Sequence, residues 1–163
     1  MIEGKVWKFG DNVDTDVIVP GKYLIGDIDE IAEHVMEGIR PGFAELVNKG
    51  DVLVGGKNFG TGSSREVAPR AIQAAGVSAI VAESFARIFF RNCINVGFVP
   101  LECPTAGEIE EGQHLHIDTV AGEITVIETG ISHHALKLPT EIGEILEAGG
   151  LEPLLKLRIG GRT

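Results

Sequence analysis

An α/β fold built on a mixed sheet follows from three features of this 163-residue chain. Between Asp51 and Leu101, short apolar runs alternate with amphipathic segments in a β-loop-α-β-α-β order, which predicts parallel strands joined by right-handed crossovers. After Pro104 the pattern changes to strict alternation on either side of Ala121-Gly122, the mark of an antiparallel hairpin. Glycine supplies 22 residues, about twice its usual ~7% share, and falls between the periodic segments with no period of its own. That placement suits tight turns and close backbone approach.

From the N-terminus, Ile2–Phe9 alternates as a strand would and ends at the turn Gly10-Asp11-Asn12. Asp27–Arg40 spaces Ile28, Ile31, Val35 and Ile39 at helical intervals, with Gly38 and Pro41-Gly42 marking its end. Phe43–Asn48 adds a helical turn. Asp51–Val54 is an apolar run closed by Gly55-Gly56, the pattern of a buried strand that feeds a loop. The loop Lys57–Gly62 leads into a predicted helix over Ser63–Ala75, stopped by Gly76. Ser78–Ala82 reads as a strand, Phe85–Asn95 as a helix and Phe98–Leu101 as a strand. Leu115–Asp118 and Glu123–Glu128 make the hairpin, and Thr140–Leu157 holds two short helices separated by Gly149-Gly150. The tail Gly160–Thr163 is expected to fray. With no repeat and no linker, residues 1–163 are expected to form one domain.

Composition narrows the function. At 44% hydrophobic and 23% charged, the chain has the make-up of a folded globule. Its formal charge of −10 disfavours nucleic acid or an anionic membrane as a partner. No apolar run reaches the ~18 residues of a membrane helix, because Glu83 and Arg87 interrupt Val77–Phe90. The opening MIEGKVWKFG lacks the apolar stretch of a secretory signal, so a cytoplasmic location is expected. Cys93 and Cys103 form neither a CxxC pair nor a disulfide framework.

The chemistry concentrates in Gly55–Arg70, GGKNFGTGSSREVAPR. Ser63 and Glu66 have the spacing of a capping box, in which each side chain satisfies the other's backbone N–H. Other features point beyond capping. Gly60 and Gly62 let a ligand approach the main chain, a helix N-terminus offers N–H groups to an anion, and Arg65 can grip a carboxylate through two hydrogen bonds. This is not a G-x-x-x-x-G-K-[ST] phosphate loop, since no Lys-Ser/Thr pair follows the glycines. Nor is it the dinucleotide fingerprint, which needs glycine or alanine where Arg65 stands. A carboxylate is the better candidate ligand. Upstream, Asp14-Thr15-Asp16 stacks two acids and a hydroxyl where a strand is expected to begin, ahead of a turn at Pro20-Gly21, and plain turn chemistry explains the pattern equally well. Calcium is rejected because no further oxygen ligands follow at loop spacing.

Asn12-Val13-Asp14-Thr15-Asp16-Val17-Ile18-x-Pro20, then Tyr23-Leu24, then Asn58-Phe59-Gly60-x-Gly62-Ser63-Ser64-Arg65-Glu66 together resemble the small subunits of 3-isopropylmalate dehydratases, the detached swivelling domain of the aconitase superfamily. The ordered match spans most of residues 1–104. It implies a single swivelling-type β/β/α domain with a mixed sheet, as in the aconitase C-terminal domain. It also implies a hydro-lyase that isomerises 2-isopropylmalate and 3-isopropylmalate by dehydration and rehydration in leucine biosynthesis. The resemblance places a four-iron four-sulfur cluster on a partner large subunit and no metal in this chain, which is active only in that heteromer. The two cysteines suit core thiols better than cluster ligands.

The same resemblance assigns residues. Ser63, as its alkoxide, is the base that takes a proton from the carbon next to a carboxylate. Ser64 and Arg65 donate to a substrate carboxylate, and Asp16 orients charged partners. Asn58 and Asp14 shape their loops. Tyr23, Leu24, Ile25 and Gly26 form the substrate-specificity loop, where tricarboxylate-using relatives carry an arginine. The neutral Ile25 suits an isopropyl group and leaves a third carboxylate unpaired. Two alternatives stay within the enzyme class, a homoaconitase and a broad isopropylmalate/citramalate isomerase. A third, of another class, is a non-catalytic carboxylate-binding module.

The remaining signals are weaker. His114, His116 and the adjacent His133-His134 read as surface or satisfied core histidines. Arg87 and Arg91, four apart around Phe89-Phe90, face a partner or solvent, or simply snorkel. Trp7, Tyr23 and Phe43 read as packing residues. An exposed partner face would also allow the isolated chain to close into homo-oligomers.

Overall fold

The computed structural model describes residues 1–62 and 65–160. One seven-stranded sheet has the order β4-β3-β2-β1-β5-β6-β7. The strands are β1 (Ile2–Lys8), β2 (Val52–Gly55), β3 (Ala79–Ala82), β4 (Val99–Glu102), β5 (His114–Asp118), β6 (Glu123–Val126) and β7 (Ser132–His134). β1 joins two different halves. Its C-terminal part runs parallel to β2, with Val6 opposite Val52 and Lys8 opposite Val54, and β3 and β4 continue in parallel. Its N-terminal part pairs antiparallel with β5, with Ile2 opposite Ile117, and β6 and β7 continue that meander. The mixed α/β sheet predicted from the change of pattern at Pro104 is what forms.

Alternate residues of the parallel strands feed two separate cores. Trp7, Leu53 and Ile80 pack with Phe43, Phe59, Ile72 and Phe89 beneath the helices. Val6, Val52, Val54 and Val81 pack with Leu101, Leu115, Ile117 and Ile124 under the antiparallel half. Because both faces are covered, β2 and β3 are apolar at every position, as parallel strands usually are. The buried Asp51 is held inside this packing by the Trp7 indole N–H at 2.8 Å and the Asn48 backbone N–H at 2.8 Å. A carboxylate so placed needs such partners.

Helices α1 (Thr15–Ile18), α2 (Ile28–Ala32), α3 (Phe43–Leu46), α4 (Val67–Ala74), α5 (Arg87–Asn95), α6 (Thr140–Glu147) and α7 (Leu151–Gly160) complete the chain with two short 3-10 turns. Three expectations need correction. The strand expected to begin at Asp14-Thr15-Asp16 is instead the short helix α1, because the Asp14 carboxylate accepts the Asp16 N–H and caps a helical turn there. The helix predicted over Asp27–Arg40 ends after Ala32, because Met36 turns into the left-handed region at φ 62° and its N–H donates to the Ile18 carbonyl at 2.7 Å. Burial of Met36 outweighs helical periodicity there. The helix predicted from Ser63 begins at Val67, with Glu66 as its N-cap and no side-chain cap. Pro69 explains this, since a helix begun at Ser63 would need the N–H that proline lacks and would drive its ring into the Arg65 carbonyl. Strand β7 has no counterpart in the sequence reading. No helix among the described residues is long and apolar enough to cross a membrane.

Candidate active site

Two loops meet because β1 and β2 are parallel neighbours. The Asp11–Asp16 segment leaves the C-terminal end of β1, and the Gly56–Gly62 segment leaves the C-terminal end of β2. Open α/β sheets bind ligands beyond those ends. Backbone bonds then lace the loops together. Asn12 N–H donates to the Lys57 carbonyl at 2.7 Å, Gly60 N–H to Val13 at 2.7 Å, and Thr15 N–H to Thr61 at 2.7 Å. Asp14 and Thr61 form a parallel bridge. The Asp11 carboxylate accepts from Lys57 N–H at 2.8 Å.

Asp14 caps α1: its carboxylate accepts the Asp16 N–H at 2.7 Å. That fixes where Asp16 sits, exposed on the first turn of α1. Asn12 and Asn58 both take left-handed backbones, and the Asn58 side-chain amide reaches the Asn12 side-chain oxygen at 3.3 Å. Asp14 and Asn58 thus shape their loops. Two glycines are obligatory here. Gly60 has φ +88°, and a Cβ on it would lie 2.0 Å from Phe89 Cγ. Gly62 has φ +101°, and a Cβ there would lie 2.8 Å from the Asp14 carboxylate.

Asp16, Leu24 and Arg65 line one cleft with Thr15, Val19, Val67 and Ala68. Its volume is about 10 Å³, room for a single water. Sequence-predicted residues from three segments therefore converge, but on an edge rather than an enclosed pocket. A larger hollow of about 580 Å³ lies beside α6, lined by Val120, Leu138 and Leu146 among others and by none of the motif residues. Size favours that hollow, whereas converging charge, the glycine loop and the strand ends all favour the cleft, and chemistry decides.

The Tyr23–Gly26 segment contributes Leu24 to the cleft lining. Tyr23 stacks on His34 at a ring separation of 3.9 Å and an angle of 8°, and Lys22 Nζ lies 5.0 Å from the Tyr23 ring centre. Leu24 packs on the core, while Ile25 is 77% exposed and does not line the cleft. Ser63 and Ser64, the expected base and one expected carboxylate donor, lie outside the described residues. Sequence reasoning missed three supports. Ser84 Oγ accepts the Asn58 N–H at 2.9 Å, Thr61 carries the bridge to Asp14, and Phe89 packs under Gly60. Of the missed features only the late helix start, through Pro69, had a local signal.

The cysteines do not fit a cluster. Cys93 lies in the core under the helices and Cys103 in the core under the antiparallel half. Burial pushes the Cys93 thiol well above its usual range, away from the thiolate a metal requires. Among the described residues no group of three or more His, Cys, Asp or Glu could hold a metal ion.

Residues 45–106 match the aconitase C-terminal domain. The isopropylmalate/citramalate isomerase small subunit of Methanocaldococcus jannaschii is 51% identical over 161 residues, covering 98% of this chain and 96% of that one. The 3-isopropylmalate dehydratase small subunit of Aquifex aeolicus is 50% identical over 162 residues, with the same coverage of each. The crystal structure of 3-isopropylmalate dehydratase from Methanocaldococcus jannaschii superposes with a TM-score of 0.94 at 46% identity, over 99% of this chain and 96% of that one.

Proposed function

The chain belongs to the family of 3-isopropylmalate dehydratase small subunits, and on that premise we propose that residues 1–163 form one swivelling domain carrying the base of a two-subunit hydro-lyase. The reaction is the interconversion of 2-isopropylmalate and 3-isopropylmalate in leucine biosynthesis, in the cytoplasm. The observation that supports this reading most is the convergence of Asp16, Leu24 and Arg65 on a cleft of about 10 Å³. A dicarboxylate cannot be enclosed in that space, so the site is a half-site completed by a large subunit.

Ser63 Oγ, ionised, removes the proton from the carbon next to a substrate carboxylate and returns it on rehydration. A serine hydroxyl is a very weak acid, so this needs donors aimed at its oxygen. With α4 starting only at Val67, and the Lys57, Asn58, Phe59 and Gly60 N–H groups already bonded to Asp11, Ser84 and Val13, that task falls mainly to Arg65. Arg65 and Ser64 hold the carboxylate, and Asp16 orients the charged groups across the cleft. A four-iron four-sulfur cluster on the large subunit supplies Lewis acidity toward the substrate hydroxyl.

Anaerobic assay of the chain with its cluster-loaded large subunit tests this reading. Turnover of 3-isopropylmalate is expected only in the mixture. An intact complex that turns over no isopropylmalate, homoaconitate or citramalate would instead favour a binding module.

Specificity is assigned to the Tyr23–Gly26 loop. Ile25→Arg is expected to shift the ratio of kcat/KM toward homoaconitate by at least tenfold, about 1.4 kcal/mol. Since Ile25 is exposed, stability should not change. An unaltered ratio would remove the loop from substrate choice.

A further inference from the structure

Outside the cleft, one charged surface is left unexplained by the catalytic reading. Arg87, Ile88 and Arg91 are exposed on one side of α5, whose opposite side buries Phe89, Cys93 and Ile94. Ile88 is 52% exposed between the two arginines. The chain carries 24 acidic residues against 14 basic ones, yet neither arginine pairs with any of the described residues. Two unpaired guanidinium groups around an apolar side chain form a surface that fits carboxylates flanking an apolar socket.

Its position says what would cover it. Ala86 N–H donates to the Phe59 carbonyl of the glycine loop at 3.0 Å, and Arg87 follows as the first residue of α5. Phe59, Phe85 and Phe89 pack ring against ring between loop and helix. The start of α5 is therefore bonded and packed directly against the glycine loop, which puts the arginine face beside the loop that a partner closing over the cleft would cover. We propose that Arg87, Ile88 and Arg91 dock the large subunit through an acidic-rimmed apolar patch on that partner. The proposal rests on the two-subunit reading above.

The test is the double charge reversal Arg87→Glu/Arg91→Glu in the full chain, titrated onto the cluster-loaded large subunit. The dissociation constant is expected to rise at least tenfold at 0.15 M salt, with kcat restored at saturating small subunit. Binding of the unaltered chain should weaken as salt is raised, and the variant should lose most of that dependence. Arg87→Gln guards against misfolding and should weaken assembly by a smaller factor while keeping the thermal midpoint. Unchanged assembly overturns the proposal, and unchanged assembly with a raised KM would place the arginines on substrate instead. Self-association lost without any effect on the large subunit would assign the face to a second copy of this chain. If the unaltered chain fails to bind the large subunit at all, the two-subunit reading fails first, which is a separate result.

Discussion

Ser63→Ala is expected to lower kcat of the assembled enzyme by about a thousandfold or more, with assembly and KM little changed. General-base catalysis contributes about 10²–10⁴ in rate, and a thousandfold corresponds to about 4 kcal/mol of transition-state stabilisation. Removing an interaction made only in the transition state lowers kcat and kcat/KM together. Ser64→Ala offers the contrast, because a carboxylate donor also contributes in the ground state and its loss raises KM. Steady-state kinetics at saturating large subunit, with sedimentation to verify the complex, separates the two. If Ser63→Ala keeps more than a tenth of wild-type kcat, Ser63 is not the base and the catalytic half of the functional reading fails.

The second large effect concerns stability. Gly60→Ala is expected to cost about 3–5 kcal/mol, of which roughly 1–2 is left-handed strain and the remainder overpacking. At φ +88° with the new Cβ 2.0 Å from Phe89 Cγ, neither side can give way easily, since Phe89 is buried among Phe59 and Phe85. At about 2–4 °C per kcal/mol for a chain of this size, the thermal midpoint should fall by roughly 10 °C. Gly42→Ala is the control, because Gly42 shares a left-handed backbone at φ +81° but has open space at its Cβ. It should lose only the strain. Equal losses in the two variants would mean that Phe89 does not brace the loop.

Much of the fold was legible because its signals are local. The β2 and β3 runs, the α5 periodicity and the Ala121-Gly122 hairpin each depend on residues a few positions apart, and each forms within one or two residues of its expected limits. The failures share a cause. Met36 leaves the helical pattern to donate to Ile18, eighteen positions back, which no period reveals. β7 is only three residues long, so its alternation is too short to register and its pairing with β6 defines it. Pro69 is a local signal for the late start of α4, since its missing N–H bars a helix begun at Ser63. α6 and α7 match the two helical stretches expected after Thr140, yet no residue of either is buried.

The site divides in the same way. The sequence by itself determined its chemistry: which acids, glycines, serines and arginine are present, and that their order matches a known family. It also limited the chain to two cysteines, Cys93 and Cys103, fewer than a four-iron four-sulfur cluster held by one chain's thiolates takes. Only the tertiary structure decided that Asp16, Leu24 and Arg65 share one cleft, that Asp14 and Thr61 bridge the two loops, and that the start of α5 is bonded to the glycine loop. The physical reason is that residue types and short spacings are written along the chain. By contrast, the parallel register of β1 on β2 joins segments more than forty residues apart and exists only once both faces of the sheet are buried.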